Sequence, residues 1–207
     1  MKKIQKLINE PLAKSAATFM MCICYIMILL SIGGMILSCM GRQTFILHTD
    51  INVYDSAIYS EENRDWTSRG PTISLHDEIR VFADGEKIDL LTQVGLSVIY
   101  AAGIVPLIIS FWFLSRMFRN VSEGRIFIAQ NASCLLYYGL IRIAIAVIVP
   151  FIKIFISYIA NQFTMSEITV STGQNIVNDL IPNIAFIVAA YIIHYGVQLQ
   201  DEADHTL

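Results

Sequence analysis

Four long apolar runs, Leu12–Met40, Leu90–Phe118, Cys134–Phe163 and Leu180–Gln200, leave this chain few ways to fold. A helix needs about 20 mostly apolar residues to cross the hydrocarbon core of a bilayer, and each run reaches that length. In lipid a helix satisfies all of its backbone polar groups internally. The runs therefore predict an all-α membrane protein with four transmembrane helices, over about 16–40, 91–114, 134–160 and 180–199, forming a single integral membrane domain across 1–207. The lipid bilayer is its first partner. Of the 207 residues 55% are hydrophobic and 15% charged, against roughly 25% charged in a soluble domain. A net charge of −3 gives no footing for direct nucleic-acid binding.

The distribution of Lys and Arg sets the orientation. Lys2, Lys3, Lys6 and Lys14 precede or open the first run, and Arg116, Arg119 and Arg125 crowd the short loop 116–133. The first loop, 41–89, holds five basic residues against ten acidic ones, and residues 164–179 hold no Lys or Arg at all. Short basic segments stay inside. Both termini, the loop 116–133 and a tail over 200–207 are thus expected in the cytoplasm, with the first and third loops outside. Trp112, Phe113, Tyr137, Tyr138 and Tyr195 fall at the inner interface.

The first run is too long for the 7–15-residue core of a cleaved signal. Ile36-Leu37-Ser38-Cys39 only loosely resembles a lipoprotein cleavage box, so the run is read as a retained span. Cys22, Cys24, Cys39 and Cys134 have neither disulfide nor metal spacing and read as packing residues.

The first loop predicts a small β-containing extracytoplasmic cap between helices 1 and 2. Phe45–Leu47 and Ile51–Tyr54 read as extended, Glu78–Ala83 alternates as a strand does, and Asp84-Gly85 predicts a hairpin turn into Glu86–Asp89. His48, Asp50, His76 and Asp77 lack the spacing of a ligand set, so no metal is expected. Ser74 and His76 have no nucleophile elbow around them. With no catalytic or cofactor motif, the reading is a non-enzyme that needs no cofactor.

Ionisable residues inside a span are candidates for function. Arg142 and Lys153 stand eleven residues apart in the third span, about 1,100° of helical turn and so nearly one face. Each lies about 10–12 Å from an interface, within reach of snorkelling or structural pairing. The other reading is an anion-attracting role. No carboxylate lies within the spans, which argues against a cation-coupled transporter. His194 in the fourth span is expected at the depth of Arg142, as a neutral, satisfied, buried histidine. Gly34 with Ser38, and Ala185 with Ala189, are spaced for close helix approach.

Two short stretches carry a pattern. The inner loop holds Gly124, Phe127 and Asn131 as Gly-x-x-Phe-x-x-x-Asn, with Gly124 ending the second helix and Phe127 and Asn131 one turn apart at the start of the third. The C-terminus holds Gly196, Leu199, Gln200, Glu202, Asp204, Thr206 and Leu207 as Gly-x-x-Leu-Gln-x-Glu-x-Asp-x-Thr-aliphatic. In these motifs and in its layout the chain resembles an uncharacterised family of bacterial four-span membrane proteins, the domain of unknown function numbered 2975. The resemblance implies a bacterial cytoplasmic membrane and no catalytic residues. It also implies a cytoplasmic helix-turn-helix transcriptional regulator as signalling partner. Asp201, Glu202 and Asp204 share a side with Arg116, Arg119 and Arg125, so the tail either pairs with the basic loop or is solvated. The leading expectation is an envelope sensor or signalling protein. The alternatives are a small transporter or channel component for an anionic solute, and an immunity or assembly protein that binds a membrane-protein partner.

Overall fold

The computed structural model describes residues 10–50, 52–58, 71–75, 78–83, 88–171 and 176–205. Each apolar run forms one helix: α1 Glu10–Cys39, α2 Leu90–Ser122, α3 Ala129–Ala160 and α4 Ile176–His205. All four contain stretches long and apolar enough to cross a membrane. They outrun the expected spans. α2 continues to Ser122 because nothing between Phe113 and Gly124 breaks a helix, and Arg116, Met117 and Arg119 favour one. The expected loop 116–133 shrinks to 123–128. The acidic tail is likewise helical to His205, since past Gly196 the sequence holds helix formers and no proline.

α1 and α2 stop by the same device. Gly41 and Gly124 take the left-handed conformation at φ 75° and 85°. Arg42 N–H then bonds Leu37 C=O at 2.9 Å, and Arg125 N–H bonds Asn120 C=O at 2.9 Å, each reaching back over the last turn. This is the Schellman arrangement, which satisfies carbonyls that the helix end would otherwise orphan.

The residues group into two compact units. One comprises Met1–Leu30, Pro106–Ala146 and Ile176–Leu207; the other comprises Ser31–Val105 and Val147–Asn175. In the first, Cys24, Leu114, Leu135, Tyr138 and Ala190 form a buried cluster, with Phe186 and Ile193 packed on it. Tyr138 meets Phe186 edge-on at 4.9 Å between ring centroids. A Cβ at Gly139 would stand 2.8 Å from Ile187 Cγ1 and 3.2 Å from the Asn183 carbonyl oxygen, so this glycine sets how closely α3 and α4 approach.

The second unit is built on a sheet of β1 Gln43–His48, β2 Val53–Ala57, β3 Ile73–Ser74, β4 Ile79–Phe82 and β5 Glu167–Val170, in the order β2-β1-β4-β5 with β3 also on β1. β1 runs antiparallel to β2 and parallel to β4; β4 runs antiparallel to β5, with Val81 opposite Ile168. Phe45, Leu47, Ile79, Val81 and Ile168 turn their buried side chains onto Leu96 and Ile99 of α2. The expected hairpin is replaced. Its turn, Asp84-Gly85, lies outside the described residues, but Ile88 and Asp89 form no strand and lead directly into α2. β4's antiparallel neighbour comes instead from the third loop. Asn161 and Ser157, at the end of α3, fix that strand. Asn161 accepts from Ile168 N–H at 2.8 Å and donates to Ile168 C=O at 3.1 Å, and Ser157 donates to the same carbonyl at 2.7 Å. The cap therefore draws on both loops that leave the same ends of the helices, not on the first alone.

Candidate functional site

Asn131 is wholly buried and organises the turn between α2 and α3. Its Nδ2 donates to Arg125 C=O at 2.7 Å and to Ile126 C=O at 2.9 Å; its Oδ1 accepts from Asn120 Nδ2 at 2.8 Å. Three groups that the sharp turn would strand are thus satisfied by one carboxamide. Arg125 donates to Asn120 Oδ1 at 3.2 Å and pairs with Glu123, so its near carboxylate is local. Phe127 lies in the turn ahead of α3 rather than in its first turn, and is 54% exposed. The face of its ring that is covered rests on α4, where a Cβ at Gly196 would stand 3.1 Å from Phe127 Cδ1. Phe127 of the first motif thus meets Gly196 of the second, although about 70 residues of sequence separate them.

Gly124 has two reasons to be glycine: its positive φ, and the Lys14 side chain, whose Cε and Nζ lie 3.3 and 3.4 Å from a Cβ position there. The left-handed conformation costs an ordinary residue about 1–2 kcal/mol. Gly124→Ala should lower unfolding stability in detergent by about that amount. Gly124→Asn should lose less, because Asn tolerates this region of φ. Equal losses for the two would mean that crowding by Lys14, not backbone strain, sets the effect.

Of the tail residues, Gln200, Glu202 and Asp204 lie on the helical extension of α4. Glu202 is exposed, and the side chains of Gln200 and Asp204 are outside the described residues.

Lys153 and Arg142 have different surroundings. Lys153 forms an ion pair with Glu78 at 2.5 Å, with 14% of its side chain exposed against 30% for Glu78. Its stem crosses α2 at Gly103, where a Cβ would meet Lys153 Cε at 3.2 Å. Glu78 stands just ahead of β4, and its carbonyl accepts from Ser171 N–H at 2.7 Å, beyond β5. The ion pair thus ties α3 to the sheet. Arg142 makes no hydrogen bond or ion pair among the described residues, and its Nε is buried without an acceptor. His194 is exposed rather than buried. The face of α4 turned to the cluster is Phe186, Ala190 and Ile193, and His194 lies off it, with Gln198 Nε2 3.4 Å from its Nε2.

One polar group escaped the sequence reading. Gln93 Nε2 and Ser97 Oγ both donate to Ser38 C=O at 2.9 Å, and Gln43 Nε2 bonds Ser38 Oγ. Gln43, Gln93 and Ser38 are all buried. Gln93 and Ser97, one turn apart in an otherwise apolar run, were the available signal. Gly34 completes this contact of α1 with α2, since Tyr100 lies over it with its hydroxyl 2.5 Å from a Cβ position. Of the four residues weighed as metal ligands, His48 stacks on Phe82 at 4.7 Å, and His76 and Asp77 lie outside the described residues. Among the described residues no three His, Cys, Asp or Glu side chains converge on a metal position.

No curated protein and no solved structure matches the chain. A family profile described as "Protein of unknown function (DUF2975)" matches residues 53–207, which take in β2 to β5, the Gly124–Asn131 turn and the whole C-terminal motif. That match covers well over half of the sequence, and the chain belongs to the DUF2975 family.

Proposed function

We propose that this is a multi-pass protein of a bacterial cytoplasmic membrane, with both termini in the cytoplasm, and that it senses an envelope condition and signals inward without catalysing a reaction. The observation that carries the membrane reading is the bareness of the helices. Only 6%, 22%, 17% and 11% of the most apolar stretch of α1, α2, α3 and α4 is buried by the chain itself. Phe19, Leu29, Leu30, Phe151, Phe155, Tyr191 and Ile192 are each more than three-fifths exposed. Water would not tolerate so much contiguous apolar surface on a monomer; lipid requires it.

Two further features support the orientation and the role. β4 and β5, from the first and third loops, pair in one sheet, as four crossings would have them do on a shared side. The basic turn holding Arg125 and the exposed Phe127, together with the helical acidic extension of α4, would then face the cytoplasm. There they would offer a surface to a soluble partner, and a DNA-binding regulator is the partner this reading expects. A fluorescent protein fused after Leu207 should fluoresce, and alkaline phosphatase placed in loop 41–89 should be active; the opposite pair of results overturns the topology.

Deleting the gene should alter a set of transcripts. Phe127→Ala and removal of residues 201–207 should reproduce that change with the protein still at normal level in the membrane. Should Arg142→Gln alone reproduce it, with Phe127→Ala silent, the anion-transport reading takes over. The buried Nε of Arg142, which has no acceptor among the described residues, is the observation that favours that second reading.

A further inference from the structure

We propose that α1, α2 and α3 bend together at neighbouring weak points, and that this shared bend carries a change of the sheet along the helices to the Gly124–Asn131 turn. The proposal rests on the signalling reading above. Three helices contribute residues to both compact units. α1 changes over between Leu30 and Ser31, α2 between Val105 and Pro106, and α3 between Ala146 and Val147.

Each carries its weakest backbone within four residues of that change-over: Gly33-Gly34 in α1, Gly103 and Pro106 in α2, Pro150 in α3. Glycine and proline are the two least favourable residues for a helix interior, and kinks gather at them. Proline has no N–H, so Ala102 C=O in α2 and Ala146 C=O in α3 lose their ladder donor four residues on.

The weak points are neighbours. Tyr100 of α2 lies over Gly34 of α1, and the Lys153 stem of α3 lies over Gly103 of α2. Gly34 and Gly103 thereby admit a side chain from the next helix. Gly33 admits none, since a Cβ there would meet nothing within 4 Å. Its φ is not positive either. Neither packing nor backbone conformation excludes alanine from Gly33, so what glycine contributes there is a helix that yields.

The helix ends at the sheet are tied. Gln93 and Ser97 hold Ser38 C=O, Lys153 holds Glu78, and Ser157 and Asn161 hold β5. A rearrangement of the strands therefore pulls on α1, α2 and α3 at once. Backbone that opens easily takes up such a displacement in a few residues, as hinges do.

The test is amide hydrogen exchange along the helices of the full chain in detergent. Amides next to Gly33, Pro106 and Pro150 should exchange faster than those two turns away in the same helix. Gly33→Ala has room for its methyl group and should unfold no more easily than wild type. It should slow exchange about fivefold beside Gly33, and also beside Pro150 on α3. At normal protein level it should reproduce the transcript pattern of the gene deletion. Pro182→Ala, in a helix that serves one unit only, should slow exchange in α4 alone and leave the transcripts as they are. Uniform exchange along the wild-type helices overturns the proposal, as does slowing by Gly33→Ala confined to α1, or shared slowing with transcripts unchanged. The signalling reading fails differently, when deletion of the gene changes no transcript.

Discussion

Asn131→Ala should be among the most damaging substitutions in the chain, costing about 2–4 kcal/mol of stability. The mutation removes no charge and little volume. It orphans the carbonyls of Arg125 and Ile126 and the amide of Asn120, all three of which now bond to one side chain. Each polar group left buried and unpaired costs about 1–3 kcal/mol. Water at the turn, where Arg125 is exposed, keeps the sum below the maximum. For a protein of this size about 1 kcal/mol corresponds to roughly 2–4 °C, so thermal unfolding in detergent should fall by about 5–15 °C. Asn131→Asp is the sharper probe. It preserves shape and the acceptor for Asn120, and it replaces the donating nitrogen with an oxygen aimed at two carbonyl oxygens. Asp should therefore do at least as badly as Ala. An Asp variant within about 0.5 kcal/mol of wild type would show that packing, not hydrogen bonding, holds Asn131 in place.

That turn also shows how much of this molecule was legible in its sequence. The helices were, because a run of apolar residues long enough to span a bilayer has few alternatives as a secondary structure. Their ends were less so. Gly124 stops α2 as expected, since only glycine takes φ 85° without strain. The continuation of α2 to Ser122 and of α4 to His205 was missed because the boundary of an apolar run marks where lipid stops, and backbone hydrogen bonding does not stop there. β4 was readable from the alternation of Ile79 and Val81 with Arg80 and Phe82. Its partner was misassigned. Asp84-Gly85 is a strong local turn signal, whereas the pairing of β4 with β5 joins residues nearly 90 positions apart, and only tertiary packing decides it. Glu167-Ile168-Thr169-Val170 does alternate and is β-branched, so its strand character could have been seen; its place in the sheet could not. The same limit applies to the candidate site. The sequence singled out Lys153 and Arg142 alike as intramembrane cations. Only the fold shows that Lys153 meets a carboxylate whereas Arg142 meets none among the described residues, because Glu78 approaches from a loop 75 residues away.

Glu78→Gln should destabilise the protein more than Lys153→Met does, although both substitutions break the same ion pair. The asymmetry follows from exposure. Glu78 keeps 30% of its side chain accessible, so a carboxylate deprived of its lysine can still be hydrated. Lys153 keeps only 14%, and its stem is held across Gly103 in an apolar stretch of helix. An ammonium deprived of its glutamate there must be dragged out, be neutralised or stay unsolvated. Breaking a fully buried pair from one side costs about 3–5 kcal/mol. The partial exposure of both partners lowers this to about 1–3 kcal/mol for Glu78→Gln and to less than that for Lys153→Met. The double variant, Glu78→Gln with Lys153→Met, removes both charges together and should recover most of the loss, because a paired charge inside a protein contributes little net stability over an apolar replacement of similar volume. Unfolding of the four proteins in one detergent gives the coupling directly. A double variant as unstable as the sum of the two single ones would mean that Glu78 and Lys153 act independently, and the tie between α3 and the sheet would then have to lie in the Asn161 and Ser157 contacts to β5 instead.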